Sequence, residues 1–190
     1  YPESDNSLES RYARAIAFFY PVGQINLPKS LALVDGLIAD YPEDPYFQEL
    51  KGEILLKGAA RPWDAIPYYE AAVRGAPQSP LLLLELAMAR IATEDPEMMR
   101  QAVPELQDVV RHEPKNRDAW HQLSIAYGRD GQVCMAALAL AEKHAAANGP
   151  AARRQAKLQA DRALQCLPVG SPGALRAEDI YNQMDRDEDE

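Results

Sequence analysis

Apolar residues recur along this chain at spacings of three and four, which is the period of an amphipathic helix. The stretch DAWHQLSIAYGRDGQ, residues 118–132, places Trp120, Leu123 and Tyr127 on one helical face and has Gly131 where the pattern fades. Two earlier stretches repeat the pattern, at Phe47, Leu50 and Ile54 and at Leu83, Leu86 and Arg90. No segment reads as a strand. The pattern therefore predicts an all-α protein.

Each helical pattern of this kind follows a proline that closes a preceding helix. Pro42, Pro77 and Pro114 lie 35 and 37 residues apart, and Pro168 closes a fourth stretch. Small or apolar residues recur twelve, eight and five positions before each proline, on one stripe where a neighbouring helix can approach closely. They are Ser30, Val34, Leu37, Ala65, Tyr69, Ala72, Ala102, Leu106, Val109, Ala156, Ala160 and Ala163.

This period and pattern are those of the tetratricopeptide repeat, a helix–turn–helix unit of about 34 residues with a W-x2-L-G-x2-Y signature. The Trp120 copy follows the signature best, with Ser124 in place of the usual glycine. One copy alone would indicate only an amphipathic helix, whereas three spaced copies of both halves favour the repeat. The predicted fold is an all-α superhelical solenoid of about five antiparallel helix pairs over residues 1–184.

Ten helices are predicted, at 7–20, 27–40, 44–57, 62–75, 79–92, 96–112, 116–129, 133–147, 150–167 and 172–185. A polar cap followed by a first-turn proline marks four starts, at Asp44-Pro45, Ser79-Pro80, Asp95-Pro96 and Ser171-Pro172. The last six residues, DRDEDE, are predicted to form a disordered acidic tail over 185–190, because they have nothing to bury.

Charge and motif spacing argue against several classes of function. The net charge of −9 argues against nucleic-acid binding, which needs an excess of clustered Lys and Arg to contact phosphates. His112, His121 and His144 lack the spacing of a zinc site, and no Gly-rich phosphate loop or nucleophile motif is present. No apolar run approaches the roughly 18 residues of a membrane span. We therefore expect a soluble chain with no catalytic residues, no metal site and no cofactor of its own.

The two cysteines fall on neighbouring predicted helices. Cys134 lies near the start of helix 133–147 and Cys166 near the end of helix 150–167. In an antiparallel hairpin the two lie at similar height, so they could form a disulfide if their side chains face each other. The alternative, two buried free thiols, is favoured by the way cysteine packs as a small hydrophobe. An oxidising compartment would favour the bridge.

Repeat solenoids bind extended or helical peptides on the concave face, which the first helix of each pair lines. The residues predicted to point into this groove are Gln48, Leu84, Met88, His121, Ile125 and Arg129. Such a mixed groove suits an apolar polypeptide segment with some polar anchoring, although some of these side chains could instead pack into the next repeat. Gln48 and Leu84 stand where the carboxylate clamp of chaperone-tail binders would be expected, which argues against that ligand.

One long stretch carries a more specific resemblance. The chain resembles the C-terminal repeat region of bacterial periplasmic zinc metallopeptidases of the beta-barrel assembly-enhancing protease type. The resemblance lies in YPESDNSLESRYARAIAFFYPVGQINLPKSLALVDGLIADYPEDPYFQELKG and continues through AWHQLSIAYGRDG and ARRQAKLQADRALQCLPVGSPGALRAEDI. In that family an H-E-x-x-H domain, which holds the zinc, precedes the repeats, and the repeats dock onto it and contact outer-membrane assembly machinery or its substrates.

The resemblance implies a periplasmic, non-catalytic module whose partners are proteins, among them an attached metalloprotease domain and outer-membrane assembly factors. No active-site residue carries over, because the catalytic half is outside this sequence. The alternative is a free-standing repeat scaffold or adaptor.

Overall fold

The computed structural model describes residues 2, 4–20 and 24–186, and within them the chain forms ten α-helices and no strand. The helices are α1 (Leu8–Phe19), α2 (Leu27–Asp40), α3 (Pro45–Glu53), α4 (Pro62–Gly75), α5 (Pro80–Ala92), α6 (Pro96–His112), α7 (Arg117–Arg129), α8 (Val133–Ala145), α9 (Pro150–Leu164) and α10 (Pro172–Arg186). Helix α3 continues into one turn of π-helix, Ile54–Gly58. The predicted helices are confirmed.

All four predicted caps are present at the helix starts. Asp44 accepts hydrogen bonds from the amides of Tyr46 and Phe47, and Asp95 from those of Glu97 and Met98. Ser79 and Ser171 each accept from the amide three residues on. These side chains satisfy amides that the first helical turn leaves without partners.

The chain divides into two compact units, Tyr1–Thr93 and Glu94–Glu190. The division falls in the long turn ATEDP, where Glu94 adopts a left-handed backbone with φ 60°. In the first unit α1 to α5 pack consecutively, each against the next. In the second, α6 to α10 do the same, and α8 also contacts α10.

The predicted small-residue stripe forms the contacts between helices. All twelve of its residues are 0% exposed. In the second unit, a core built largely of alanine, including Ala156, Ala160 and Ala163, packs with Ile180 and Met184. Larger side chains such as Phe19, Val34 and Ile54 fill the core of the first unit. The spacing of these residues therefore predicts correctly which face of each helix is buried.

The acidic tail begins later than predicted. Helix α10 runs through Arg186, two residues into the segment expected to be disordered. Asp185 is held there by an ion pair with Lys157 of α9, a long-range contact that composition does not reveal. The rest of the predicted tail, 187–190, lies outside the described residues.

Candidate peptide-binding faces

In the first unit, two of the three predicted groove residues do not face solvent. Gln48 is only 9% exposed, and its Nε2 donates a hydrogen bond to the backbone oxygen of Pro42 at 3.0 Å. Leu84 is 7% exposed and belongs to the core. Met88 is half-buried. The prediction that Gln48 and Leu84 point away from the stack is therefore wrong, since both side chains are used in packing.

Helix α5 also has an exposed leucine that is not among the predicted groove residues. Leu81 lies seven residues before Met88, so the two side chains share one face of the helix, two turns apart. Leu81 is 57% exposed. The signal was present in the sequence, because Leu81, Leu84 and Met88 follow the spacing of three and four. Helix α5 thus presents an apolar stripe on which Leu81 and Met88, rather than Leu84, reach solvent.

In the second unit, helix α7 presents a stripe of different chemistry. His121 and Ile125 are half-buried, and Arg129 is exposed, with its Nη2 3.4 Å from the Glu94 carboxylate. Asp118 is exposed at the start of the same face. The predicted residues of this unit therefore share one helical face that is partly accessible and mixed in polarity.

The electrostatic surroundings of His121 come from the neighbouring helix. Burial and then the positive charge of Lys143 on α8 lower the pKa of His121, and the same two causes lower the pKa of His144. Burial and the Lys143 charge therefore favour the neutral form of both imidazoles. His121 Nδ1 is buried, and no hydrogen-bond partner for it lies in the described part of the chain. The sequence did not indicate these neighbours, because only the packing of α7 on α8 brings them together.

Comparisons with known proteins give a fold and no family. No family model matches the chain, and no curated protein matches it. Solved structures do match. MamA 41-end from Desulfovibrio magneticus RS-1 aligns with a TM-score of 0.67 at 13% identity, over 96% of this chain and 97% of that chain. TTC0263, a thermophilic TPR protein of Thermus thermophilus, aligns with a TM-score of 0.59 at 19% identity, over 92% of this chain and 98% of that chain.

The chain has the tetratricopeptide-repeat fold. At identities below 20%, these likenesses show the arrangement of helices and leave the partner open. Within the repeat fold, α5 and α7 are the equivalent first helices of their copies, since Leu83 and Trp120 begin the same pattern. The stripes on α5 and α7 are therefore equivalent faces that carry different side chains.

The cysteines are joined in the structure. The Sγ atoms of Cys134 and Cys166 lie 2.05 Å apart, and the Cα atoms 5.8 Å apart. Cys134 is half-buried and Cys166 is exposed, so neither is the buried thiol that hydrophobic packing favoured. The bridge links the start of α8 to the residues just after α9, at the same end of that antiparallel pair.

The described residues include no group of three or more His, Cys, Asp or Glu side chains placed to hold a metal ion. None of the helices described combines the length and the apolar character needed to cross a membrane.

Proposed function

We propose that this chain is a protein-interaction module that binds polypeptide segments on the first helices of its repeats. The observation that carries the proposal is the exposed stripe on α5. Leu81 leaves a large apolar surface in solvent on a helix whose other faces are packed, and Met88 extends it. An apolar stripe of this kind fits a partner that presents apolar side chains along an extended or helical segment.

We further propose that the module is the non-catalytic part of a periplasmic zinc metallopeptidase, where it docks onto the protease domain and presents envelope proteins to it. Two features support this assignment. The stretch that begins YPESDNSLESRYARAIAF resembles the repeat region of such enzymes. A disulfide with one exposed cysteine also suits an oxidising compartment such as the periplasm. Zinc would be held by the protease domain, because the described residues of this chain do not group into a metal site.

The runner-up is a free-standing adaptor with the same binding face and no enzyme attached. The coding sequence upstream of Tyr1 separates the two proposals. An open frame that encodes a signal peptide and an H-E-x-x-H helix is expected for the metallopeptidase. A start codon a few residues before Tyr1 would leave the adaptor as the assignment.

The binding face is tested by reversing the chemistry of the α5 stripe. The chain is immobilised and offered a detergent-solubilised envelope extract, and the bands it captures are compared between the parent and Leu81→Glu/Met88→Glu. Leu84 is left unchanged because it is buried. We expect the double variant to lose the bands that the parent captures, because two carboxylates would have to be desolvated against an apolar partner.

Leu175→Glu is the matched control. Leu175 lies on α10 and is 53% exposed, close to the 57% of Leu81, so it matches the Leu81→Glu half of the double variant at a similar leucine outside the stripe. We expect it to capture the same bands as the parent. If the double variant captures the same bands as the parent and the control, the α5 face is not the binding site.

A further inference from the structure

Three glutamates from two helices of the first unit meet beside a single lysine. Glu49 and Glu53 lie on α3 and Glu85 lies on α5, while Lys57 extends from the π-helical turn that follows α3. Glu85 is 9% exposed, and the side chain of Glu53 is 14% exposed. If all three carboxyls were ionised, this largely buried glutamate cluster would hold three negative charges against one positive charge.

The available donors are concentrated on one carboxyl. Lys57 Nζ and the Tyr20 hydroxyl each lie 2.6 Å from Glu53 Oε1. Lys57 Nζ is farther from Glu85 Oε1, at 3.4 Å. Glu85 Oε2 is buried, and the described residues provide no donor for it. The Glu49 carboxyl also faces Glu85, and it interacts electrostatically with Glu85, Glu53 and Lys57.

The repeat explains why two carboxyls face each other. Glu49 lies two residues after Phe47, and Glu85 lies two residues after Leu83, so both occupy the same position in successive copies. Stacked repeats bring equivalent positions next to each other. In the Trp120 copy this position holds the neutral amide of Gln122. The acidic pair is therefore a property of the first two copies and not of the repeat in general.

We propose that Glu49 and Glu85 share one proton in the folded protein and that this pair is a pH-sensitive link between α3 and α5. The shared proton makes one carboxyl a donor and the other an acceptor, which satisfies Glu85 Oε2 and removes one buried charge. Burial and the neighbouring Glu85 carboxyl together raise the pKa of Glu49 to about 8. The other ionisable groups that face the pair are Tyr12, Tyr20, Glu53, Lys57 and Tyr69.

The sign of the pH effect follows from the raised pKa. The folded state keeps a proton that the unfolded chain releases near the ordinary glutamate value of 4.5. The stabilising effect is therefore complete below that value and declines as the pH rises toward about 8, where the folded state also loses the proton. Inside this window the unfolding constant of the first unit should rise by up to about tenfold per pH unit.

The direct test needs no substitution. Side-chain carboxyl carbons of the full chain are followed by NMR in 13C-labelled protein from pH 4 to pH 10. We expect one glutamate resonance pair, assigned to Glu49 and Glu85, to titrate well above the others. If every glutamate carboxyl titrates within about one unit of its ordinary pKa, both groups are ionised at neutral pH and the proposal is wrong.

A second test uses stability. In a Trp120→Phe background, Trp63 is the remaining tryptophan and reports on the first unit. Urea midpoints at pH 5.5 and pH 8.5 are compared for this parent, Glu49→Gln, Glu85→Gln and the control Glu43→Gln, which changes an exposed glutamate. We expect the midpoint of the parent and of the control to fall at the higher pH. Either Gln at the pair should abolish most of that fall, because an amide supplies the donor at every pH.

Retention of the full pH dependence in both Glu49→Gln and Glu85→Gln would overturn the proposal. If a variant does not fold, as judged by far-UV circular dichroism, the NMR titration of the unsubstituted chain still decides the question.

Discussion

Breaking the bridge between Cys134 and Cys166 should lower the stability of the second unit by an amount that can be worked from the chain. The bridge joins residues 32 apart in sequence. In the chain-entropy relation, the loss of unfolded-state entropy is about 2.1 + 1.5R ln n cal/mol/K, which gives roughly 12 cal/mol/K for this loop, or about 3.7 kcal/mol at 25 °C. The folded state should persist without the bridge, because the alanine core around Ala156 and Ala160 already packs α9 into the unit.

The assay is urea unfolding followed by tryptophan fluorescence in a Trp63→Phe background, where Trp120 reports on the second unit. With an m-value of about 1–3 kcal/mol/M, reduction should lower the midpoint by roughly 1–4 M. The control is Cys134→Ser/Cys166→Ser, which should match the reduced protein and not respond to reductant. Mass spectrometry after alkylation, without reductant, should find no free thiol in protein purified from an oxidising compartment. Two free thiols, or superimposable curves with and without reductant, would show that the bridge is not part of the native protein.

Four further substitutions test the packing, the helix ends and a buried carboxylate. Gly36→Ala should stabilise the first unit by about 1 kcal/mol through helix propensity, because the added Cβ meets only a flexible Arg11 nitrogen at 3.8 Å. Gly52→Ala should be about 1–3 kcal/mol less stable than Gly36→Ala, because its Cβ would lie 3.0 Å from the buried Tyr69 ring. Equal increases in the urea midpoints of the two variants would refute this prediction. Asp95→Ala should cost about 1 kcal/mol in the same assay, since two amides of α6 lose their acceptor. Arg176→Met should lower the melting temperature, because the buried Glu142 carboxylate loses the arginine that donates two hydrogen bonds to it. The expected loss of stability is about 1–2 kcal/mol, reduced because the arginine side chain is half-exposed. An unchanged melting temperature would contradict this prediction.

The parts of the fold that depend on helical period were readable from the sequence. The twelve stripe residues were predicted from spacing alone, and each is completely buried. Spacing succeeds here because a helix that packs against two neighbours must place small or apolar side chains at fixed angles. The four caps were readable for a similar reason, since Asp or Ser before a first-turn proline is a local signal that needs no tertiary contact.

The binding face was less readable because it lies at the edge of the buried stripe. One residue along a helix turns a side chain by about 100°, so a small error in assigning the face moves it from groove to core. Leu84 illustrates this, since it lies between Leu81 and Met88 on the same stripe and is nevertheless buried. Gln48 is buried because its amide reaches the backbone oxygen of Pro42, a contact made possible only by the turn before α3. Polarity alone could not predict either outcome.

Equivalent positions in the copies separate what the repeat must keep from what it can vary. The stripe before each proline keeps its small or apolar character in all four places where it occurs. Two other positions of the first helices do not. The position two residues before the pattern begins is Pro45 in one copy, Leu81 in the next and Asp118 in the third. The position two residues after it is Glu49, Glu85 and then Gln122. Packing does not require this variation. Partner recognition and the response to pH can therefore differ from copy to copy at these two positions, while the packing of the helices stays the same.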